Sequence, residues 1–162
     1  MLEGLAPVVD LRTRLVVLGS FPSAASLAAQ QYYGHPRNAF WRLLSALWGE
    51  DLVALPYDAR VAALRRHRVG LWDVYRACER EGSLDSAIRA PVPNELARLK
   101  TLAPGLRAVA HNGAESARSR KVVAGLGVDV HSLPSTSPAN AAWSFERKLA
   151  AWREVFSRYD LE

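Results

Sequence analysis

Two stretches of this chain gather side chains able to hold a flat polar ligand. The first is Tyr32-Tyr33-Gly34-His35-Pro36-Arg37-Asn38-Ala39-Phe40-Trp41. It supplies aromatic rings for stacking, an asparagine amide for orienting a water or a ligand group, and a histidine and an arginine for hydrogen bonding. It follows the apolar run Leu15-Val16-Val17-Leu18 and the turn Gly19-Ser20-Phe21-Pro22-Ser23. The second stretch, Leu133-Pro134-Ser135-Thr136-Ser137-Pro138-Ala139-Asn140-Ala141, is small, polar and kinked, and it too follows a strand-like run. Ligands of open α/β sheets bind beyond the carboxyl ends of the strands, so the two loops are expected to face each other across one cleft.

Several other chemistries lack their residues. There is no Gly-x-x-x-x-Gly-Lys-Ser/Thr loop and no Gly-x-Gly-x-x-Gly turn, which argues against a phosphate-cradling nucleotide site. His35, His67, His111 and His131 have no metal-ligand spacing among themselves or with Cys78, so no metal is expected. Ser20 and Ser23 are misplaced for the Gly-x-Ser-x-Gly elbow of an esterase.

The elements that must position the loops alternate between strand and helix. Leu15–Leu18 reads as a buried parallel strand. Ser23–Gln30 can make a helical turn. Asn38 can cap a helix running to about Trp48, in which Phe40, Trp41, Leu44, Leu47 and Trp48 recur at helical spacing. A helix is expected from Asp58 to about His67, a strand over Val69–Val74, and a polar loop over Glu79–Ser86. Pro93-Asn94 opens a short helix through about Leu102. Leu106–Ala110 is a strand, Gly113–Ala124 a helix, Val128–His131 a strand and Trp143–Tyr159 a last helix. This order predicts one domain over residues 1–162, an α/β fold of three α/β/α layers around a small, about four-stranded, mostly parallel central sheet.

Bulk composition is that of a globular protein, with 49% hydrophobic and 23% charged residues. No apolar run is long enough to span a membrane, the N-terminus lacks the pattern of a secretion signal, and the single Cys78 excludes an internal disulfide. A cytoplasmic location is expected. The net charge of +5 fits an anionic partner, nucleic acid first. The basic residues are nearly all arginine, a pattern that biased genome composition also produces.

These motifs, in this order, resemble the uracil-DNA glycosylase superfamily. Leu15 to Trp41 looks like its first motif region, with a Gly-x-x-Pro turn, an aromatic and a His-Pro-x-Asn-x-Phe-Trp helix opening. Leu133 to Ala141 resembles its second motif, and Ala108-Val109-Ala110-His111-Asn112-Gly113 the segment between them. Leu71-Trp72-Asp73-Val74 through Gly82-Ser83-Leu84-Asp85-Ser86-Ala87-Ile88 is similar to the hypoxanthine-DNA glycosylase branch in particular. The resemblance covers about residues 13 to 156. It implies a uracil-DNA-glycosylase-like fold and a monomeric, monofunctional glycosylase of base excision repair. Such an enzyme would need no cofactor, act on damaged double- or single-stranded DNA, and remove hypoxanthine first, then uracil or mismatched pyrimidines. No lysine lies in the motif loops, so no Schiff-base lyase step is expected. Two other readings stay open: a DNA-binding member of the same fold with weak or lost catalysis, and a small-molecule hydrolase using the same cleft.

A base is attacked only after it leaves the stack, so the pocket needs a flat apolar face and fixed polar groups. The resemblance places Tyr33 at the stacking position, although Tyr32 and Tyr33 packing beneath the loop is the plainer alternative. Phe21 stands where mismatch-specific relatives carry a water-holding asparagine. Asn38 resembles the asparagine of the hypoxanthine branch and is the catalytic candidate, while as a helix cap it would be purely structural. Ser20, Phe21 and Asn112 are expected at the base, with Asn112 alternatively a turn residue before Gly113. Ser23, His35, Arg37, Pro134, Ser135, Thr136, Ser137 and Asn140 are expected at the DNA backbone. Asp73 and Asp85 are reserve carboxylates that more plainly close a strand and cap a loop. The second motif offers no bulky wedge among Ser137, Pro138, Ala139 and Asn140, which suggests destabilised pairs or single strands as substrates.

Overall fold

Successive residues of a strand project to opposite faces of a sheet, and here both sets are apolar. In the computed structural model, which describes residues 1–162, the chain runs β1 (Leu2–Glu3), β2 (Leu15–Gly19), α1 (Ala24–Ala29), α2 (Phe40–Trp48), α3 (Tyr57–Arg66), β3 (Val69–Asp73), β4 (Tyr75–Glu79), β5 (Arg89–Pro93), α4 (Arg98–Leu102), β6 (Ala108–Asn112), α5 (Ala114–Ala117), α6 (Arg120–Ala124), β7 (Asp129–Leu133) and α7 (Phe145–Arg158). Four strands pair in parallel in the order β3-β2-β6-β7. Leu15 and Val17 of β2 join Val69, Leu71, Ala108 and Ala110 in a core closed by α2, α3 and α7. Val16 and Leu18 face the other way, with Trp72 and Val109, onto Leu99 of α4 and Val123 of α6. Helices therefore cover both faces, giving the expected α/β architecture with a four-stranded parallel sheet.

The first face carries most of the buried rings. Phe40 and Trp152 are fully buried and meet edge-on with centroids 5.9 Å apart. Trp41 donates its indole N–H to the Tyr32 carbonyl at 3.1 Å, and Trp152 donates to the Pro134 carbonyl at 3.1 Å. The helices that close this core thus also hold the backbones of both loops, so burial and loop position are coupled. Full burial of such side chains stabilises by about 1.5–3 kcal/mol each.

The outcome departs from the sequence pattern at the periphery. Tyr75–Glu79, between the expected strand and the expected polar loop, forms β4, and it pairs antiparallel with β1 and β5 in a separate three-stranded sheet. β5 contains Pro91 and Pro93 and is mostly exposed, so it shows no hydrophobic period. Proline is tolerated there because β5 is an edge strand. The helix expected from Pro93-Asn94 is confined to Arg98–Leu102. The single helix expected over Gly113–Ala124 is two short ones, broken at Arg118–Ser119.

Candidate functional site

The carboxyl ends of three adjacent strands set the floor of the site. Gly19 ends β2 and stands in register with Asp73 at the end of β3. Asn112 ends β6. By strand alternation all three project to the face covered by α2 and α7. Above them lies an open cavity of about 620 Å³, walled by the Gly19–Ser23 turn, Tyr33 and Asn38, the 83–86 loop, and the Pro134–Asn140 loop. The two motif loops do converge on one cleft.

Thr136 holds this convergence together. Its side chain is almost fully buried, its Oγ1 accepts from Asn112 Nδ2 at 2.9 Å, and its N–H donates to Asn112 Oδ1 at 3.0 Å. Its carbonyl accepts from the Ala39 N–H at 2.9 Å, at the start of α2. One residue thus ties the second loop to both the central strand β6 and the first loop. This corrects the expectation that Thr136 faces DNA: it is 1% exposed and its polar atoms are turned inward. Gly113 adds to the closeness, since a Cβ there would lie 3.0 Å from Ser135 Cβ, and its φ of +99° suits glycine.

Asn38 lines the cavity and, one residue ahead of the Ala39 N-cap position, caps the first helical N–H of α2, its Oδ1 accepting from Phe40 at 2.9 Å. The cap fixes the amide's orientation, while Nδ2 makes no bond within the protein. Tyr33 lines the same space. Its ring stacks on Phe40 with centroids 4.2 Å apart and planes 25° apart, and its φ is +54°. A non-glycine residue in that region is held at a cost of the order of 1–3 kcal/mol, which the Phe40 contact helps to offset. Phe21 is buried in the wall under the guanidinium of Arg80, 5.3 Å from its ring centroid. Arg80 also donates to the Pro22 carbonyl and stiffens this turn.

Ser20 donates to Asp85 at 2.5 Å. Ser23 caps α1 through Ser26 N–H at 3.1 Å. Ser135, Ser137 and Asn140 brace their own loop: Ser135 Oγ accepts from Ser137 N–H at 3.1 Å, Ser137 Oγ from Ala139 N–H at 3.2 Å, and Asn140 Nδ2 donates to the Ser135 carbonyl at 3.1 Å. Pro134 lines the cavity beside them. His35 and Arg37 lie outside the cavity lining, and His35 Nδ1 accepts from the Arg37 N–H at 3.0 Å. Asn112 lines the cavity as expected, with its amide committed on both ends to Thr136.

Three further parts of the site are brought to the cavity by tertiary packing. Asp73 is 4% exposed and lines the cavity, and its Oδ2 has no hydrogen-bond partner. Burial, reinforced by the negative charge of Asp85 and eased by Arg80, pushes its carboxyl up to about 7. Asp85 is raised in the same direction, by burial first. The available signal was position: an acidic residue at the last place of an apolar strand lands at the ligand-binding edge. The 83–86 loop forms a wall through long-range pairing of β4 and β5. Trp143 also lines the cavity, with the Arg147 guanidinium 4.1 Å above its ring, so a bulky aromatic follows the second motif after all. No group of three or more His, Cys, Asp or Glu side chains is placed to hold a metal ion.

Behind the wall, Ser116 donates to the Leu18 carbonyl at 2.7 Å and pairs with His111 Nδ1 at 2.7 Å. Its single proton is spent on Leu18, so His111 donates from Nδ1. Burial, with Arg120 adding to it, lowers His111 to about 4. It is neutral near neutrality and serves β6 and α5 rather than the cavity.

Comparison with known proteins agrees with this geometry. The family model described as the uracil DNA glycosylase superfamily matches residues 6–156. A protein of Methanosarcina barkeri named hypoxanthine DNA glycosylase is 40% identical over 156 residues, 96% of this chain and 98% of that protein. A Methanosarcina acetivorans protein of the same name is 40% identical over 154 residues, covering 95% and 97%. A solution NMR structure from Methanosarcina acetivorans, described as a candidate uracil DNA glycosylase, superposes with a TM-score of 0.88 at 39% identity, covering 98% of each chain.

Two outcomes test this description. Thr136→Val keeps the shape but strands the Asn112 donor, so it should cost about 1–3 kcal/mol in urea unfolding; an unchanged midpoint would mean the tie is not stabilising. A carboxyl whose folded pKa exceeds its unfolded value of 3.8 stabilises fully in acid, and that stability is lost as pH rises through about 7. Asp73→Asn removes the loss, so its Tm relative to the unsubstituted protein should rise between pH 5 and pH 8 by on the order of 5 °C. His111 titrates equally in both proteins and cancels. A pH-independent Tm difference would contradict the assignment.

Proposed function

We propose, from the premise that this chain belongs to the uracil DNA glycosylase superfamily and is a DNA glycosylase, that it releases hypoxanthine first, and uracil or mismatched pyrimidines next, from DNA. The observation that carries the reading is the cavity where the two loops meet, with Asn38 and Tyr33 on one side and the Pro134–Asn140 loop on the other. The similarity to proteins named hypoxanthine DNA glycosylase supports hypoxanthine as a substrate.

In this reading the everted base lies on the Tyr33 ring, whose other face is held by Phe40. The strained φ of Tyr33 is consistent with a residue placed for a ligand rather than for the chain. The C1′–N bond breaks with its electron pair going to the base, and water adds to C1′ while the proton it loses neutralises the departing base anion. Asn38 orients that water through the hydrogen-bonding capacity its cap leaves free, taking the place of the asparagine that Phe21 replaces. Ser23, Ser135, Ser137 and Asn140 bind flanking phosphates through hydroxyl, amide and backbone N–H groups, and His35 and Arg37 extend that surface beyond the cavity. Loops already braced by their own side chains lose little ordering entropy on binding. The enzyme acts as a monomer in the cytoplasm, on one domain, without a cofactor. No helix is long and apolar enough to cross a membrane.

The test is base release from labelled single strands and duplexes carrying inosine, uracil or G·T, read as alkali-labile abasic sites. Asn38→Ala should lower single-turnover release by about 100-fold or more while DNA affinity stays within a few-fold. Salt-sensitive binding with no abasic product from any substrate would overturn the reading. Tyr33→Ala should weaken capture of the everted base more than duplex binding, the stacking contact contributing about 1–3 kcal/mol. Equal losses in both would assign the ring to the fold alone.

A further inference from the structure

The Asn112 amide expected to read the base edge spends one donor and one acceptor on Thr136, so only half of its hydrogen-bonding capacity is left for a base. The cavity floor nevertheless contains a polar group with nothing to bind. Asp73 is 96% removed from solvent, has no cation within salt-bridge distance, and makes no side-chain hydrogen bond. Asp73 takes this seat only because Gly19 has no side chain. A Cβ on Gly19 would fall 2.5 Å from Asp73 Oδ1 and 3.2 Å from the Tyr33 hydroxyl, which is also buried without a partner. The φ of Gly19 is not positive, so glycine is there for space rather than for backbone conformation. An unpaired buried carboxyl is costly unless a ligand completes it.

We propose that Asp73, seated against Gly19 in the cavity lining, reads the everted base, its carboxyl pairing with the adjacent ring N–H and C=O of a lactam edge. This deepens the function proposed above and rests on it. A carboxylic acid offers an acceptor and a donor side by side, as a carboxamide does, and each side of the lactam then finds its complement. Hypoxanthine and uracil both present such an edge, so one residue serves both substrates while Tyr33 supports the ring plane.

The surroundings favour the acid form. Asp85 faces Asp73 with the same sign of charge, the Tyr32 and Tyr33 hydroxyls are neutral and themselves held protonated by burial and by Asp73, and Arg80 is the only cation acting on it. Phosphates arriving with the DNA add further negative potential. An ionised Asp73 would keep its acceptors but lose the donor and repel the base carbonyl.

The experiment compares the full-length protein with Asp73→Asn, Asp73→Leu and Gly19→Ala. Single-turnover base release from inosine- and uracil-containing single strands is measured from pH 5.5 to 9. Affinity for DNA with a tetrahydrofuran abasic analogue is measured in parallel. Asp73→Leu should lose release by about 100-fold or more, with abasic-DNA affinity within a few-fold. Gly19→Ala should lose release in the same way. Asp73→Asn should retain release within about tenfold of the parent at pH 6 and abolish the alkaline decline that the parent shows as Asp73 ionises. Thermal melts establish that each variant is folded, and Asp73→Asn serves if Gly19→Ala is not. Full release by Asp73→Leu, or a parent-like alkaline decline in Asp73→Asn, overturns the assignment of Asp73 while leaving the glycosylase reading intact. Absence of release by the parent from every substrate overturns both.

Discussion

Three polar contacts on Thr136 fix the relation between segments far apart in the chain. Its peptide and hydroxyl take both ends of the Asn112 amide, and its carbonyl takes the first free N–H before α2. Without that tie, the second loop would be anchored mainly by the Trp152 indole beneath Pro134. Buried amide groups are expensive to leave unpaired, so the loop has one low-energy seat. The cavity is therefore a property of the packed core, and its width follows from where β6 ends and α2 begins.

This arrangement separates structural from chemical polar groups. Asn112 and Thr136 satisfy one another, and His111 and Ser116 are consumed in joining β6 to β2 and α5. Asp73, the Tyr33 hydroxyl and the free side of Asn38 are what remains unpaired at the cavity. Of the buried polar atoms without a partner, those at the cavity are available to a ligand, whereas His111 Nε2 and Arg80 Nη1 belong to residues outside its lining. A carboxyl without an ion pair in a protein of net charge +5 is also informative: basic residues are plentiful, yet only Arg80 acts on Asp73, and from beyond salt-bridge distance. The positive charge instead stays at the surface, where it favours approach of a polyanion.

The aromatic residues divide along the same line. Phe40, Trp41 and Trp152 are buried at helical spacing and build the core. Tyr33 lies on that core through Phe40 and presents itself to the cavity, so a rigid hydrophobic layer positions a ring that belongs to the site. Trp143 also lines the cavity, with the Arg147 guanidinium over its ring. Rings anchored on one face lose little freedom when a second flat group meets the other.

The sequence by itself determined the central layer. Leu15–Leu18, Val69–Asp73 and Ala108–Asn112 are short apolar runs flanked by turn residues, and such runs have few ways to be buried other than in a parallel sheet with helices on both faces. The two motif loops, their place beyond strand ends, and the cap at Asn38 were legible for the same local reasons. The antiparallel β1-β4-β5 sheet was not, because an exposed edge strand containing Pro91 and Pro93 leaves no period to detect. Nor were the roles of Thr136, Asn112 and Asp73. Periodicity reports which face of its own element a residue takes, whereas the partner of a buried polar atom depends on which distant segment docks above it. Thr136 turned inward and Asp73 was left unpaired because the second loop seats on β6 and α2, a choice made by packing across the whole chain.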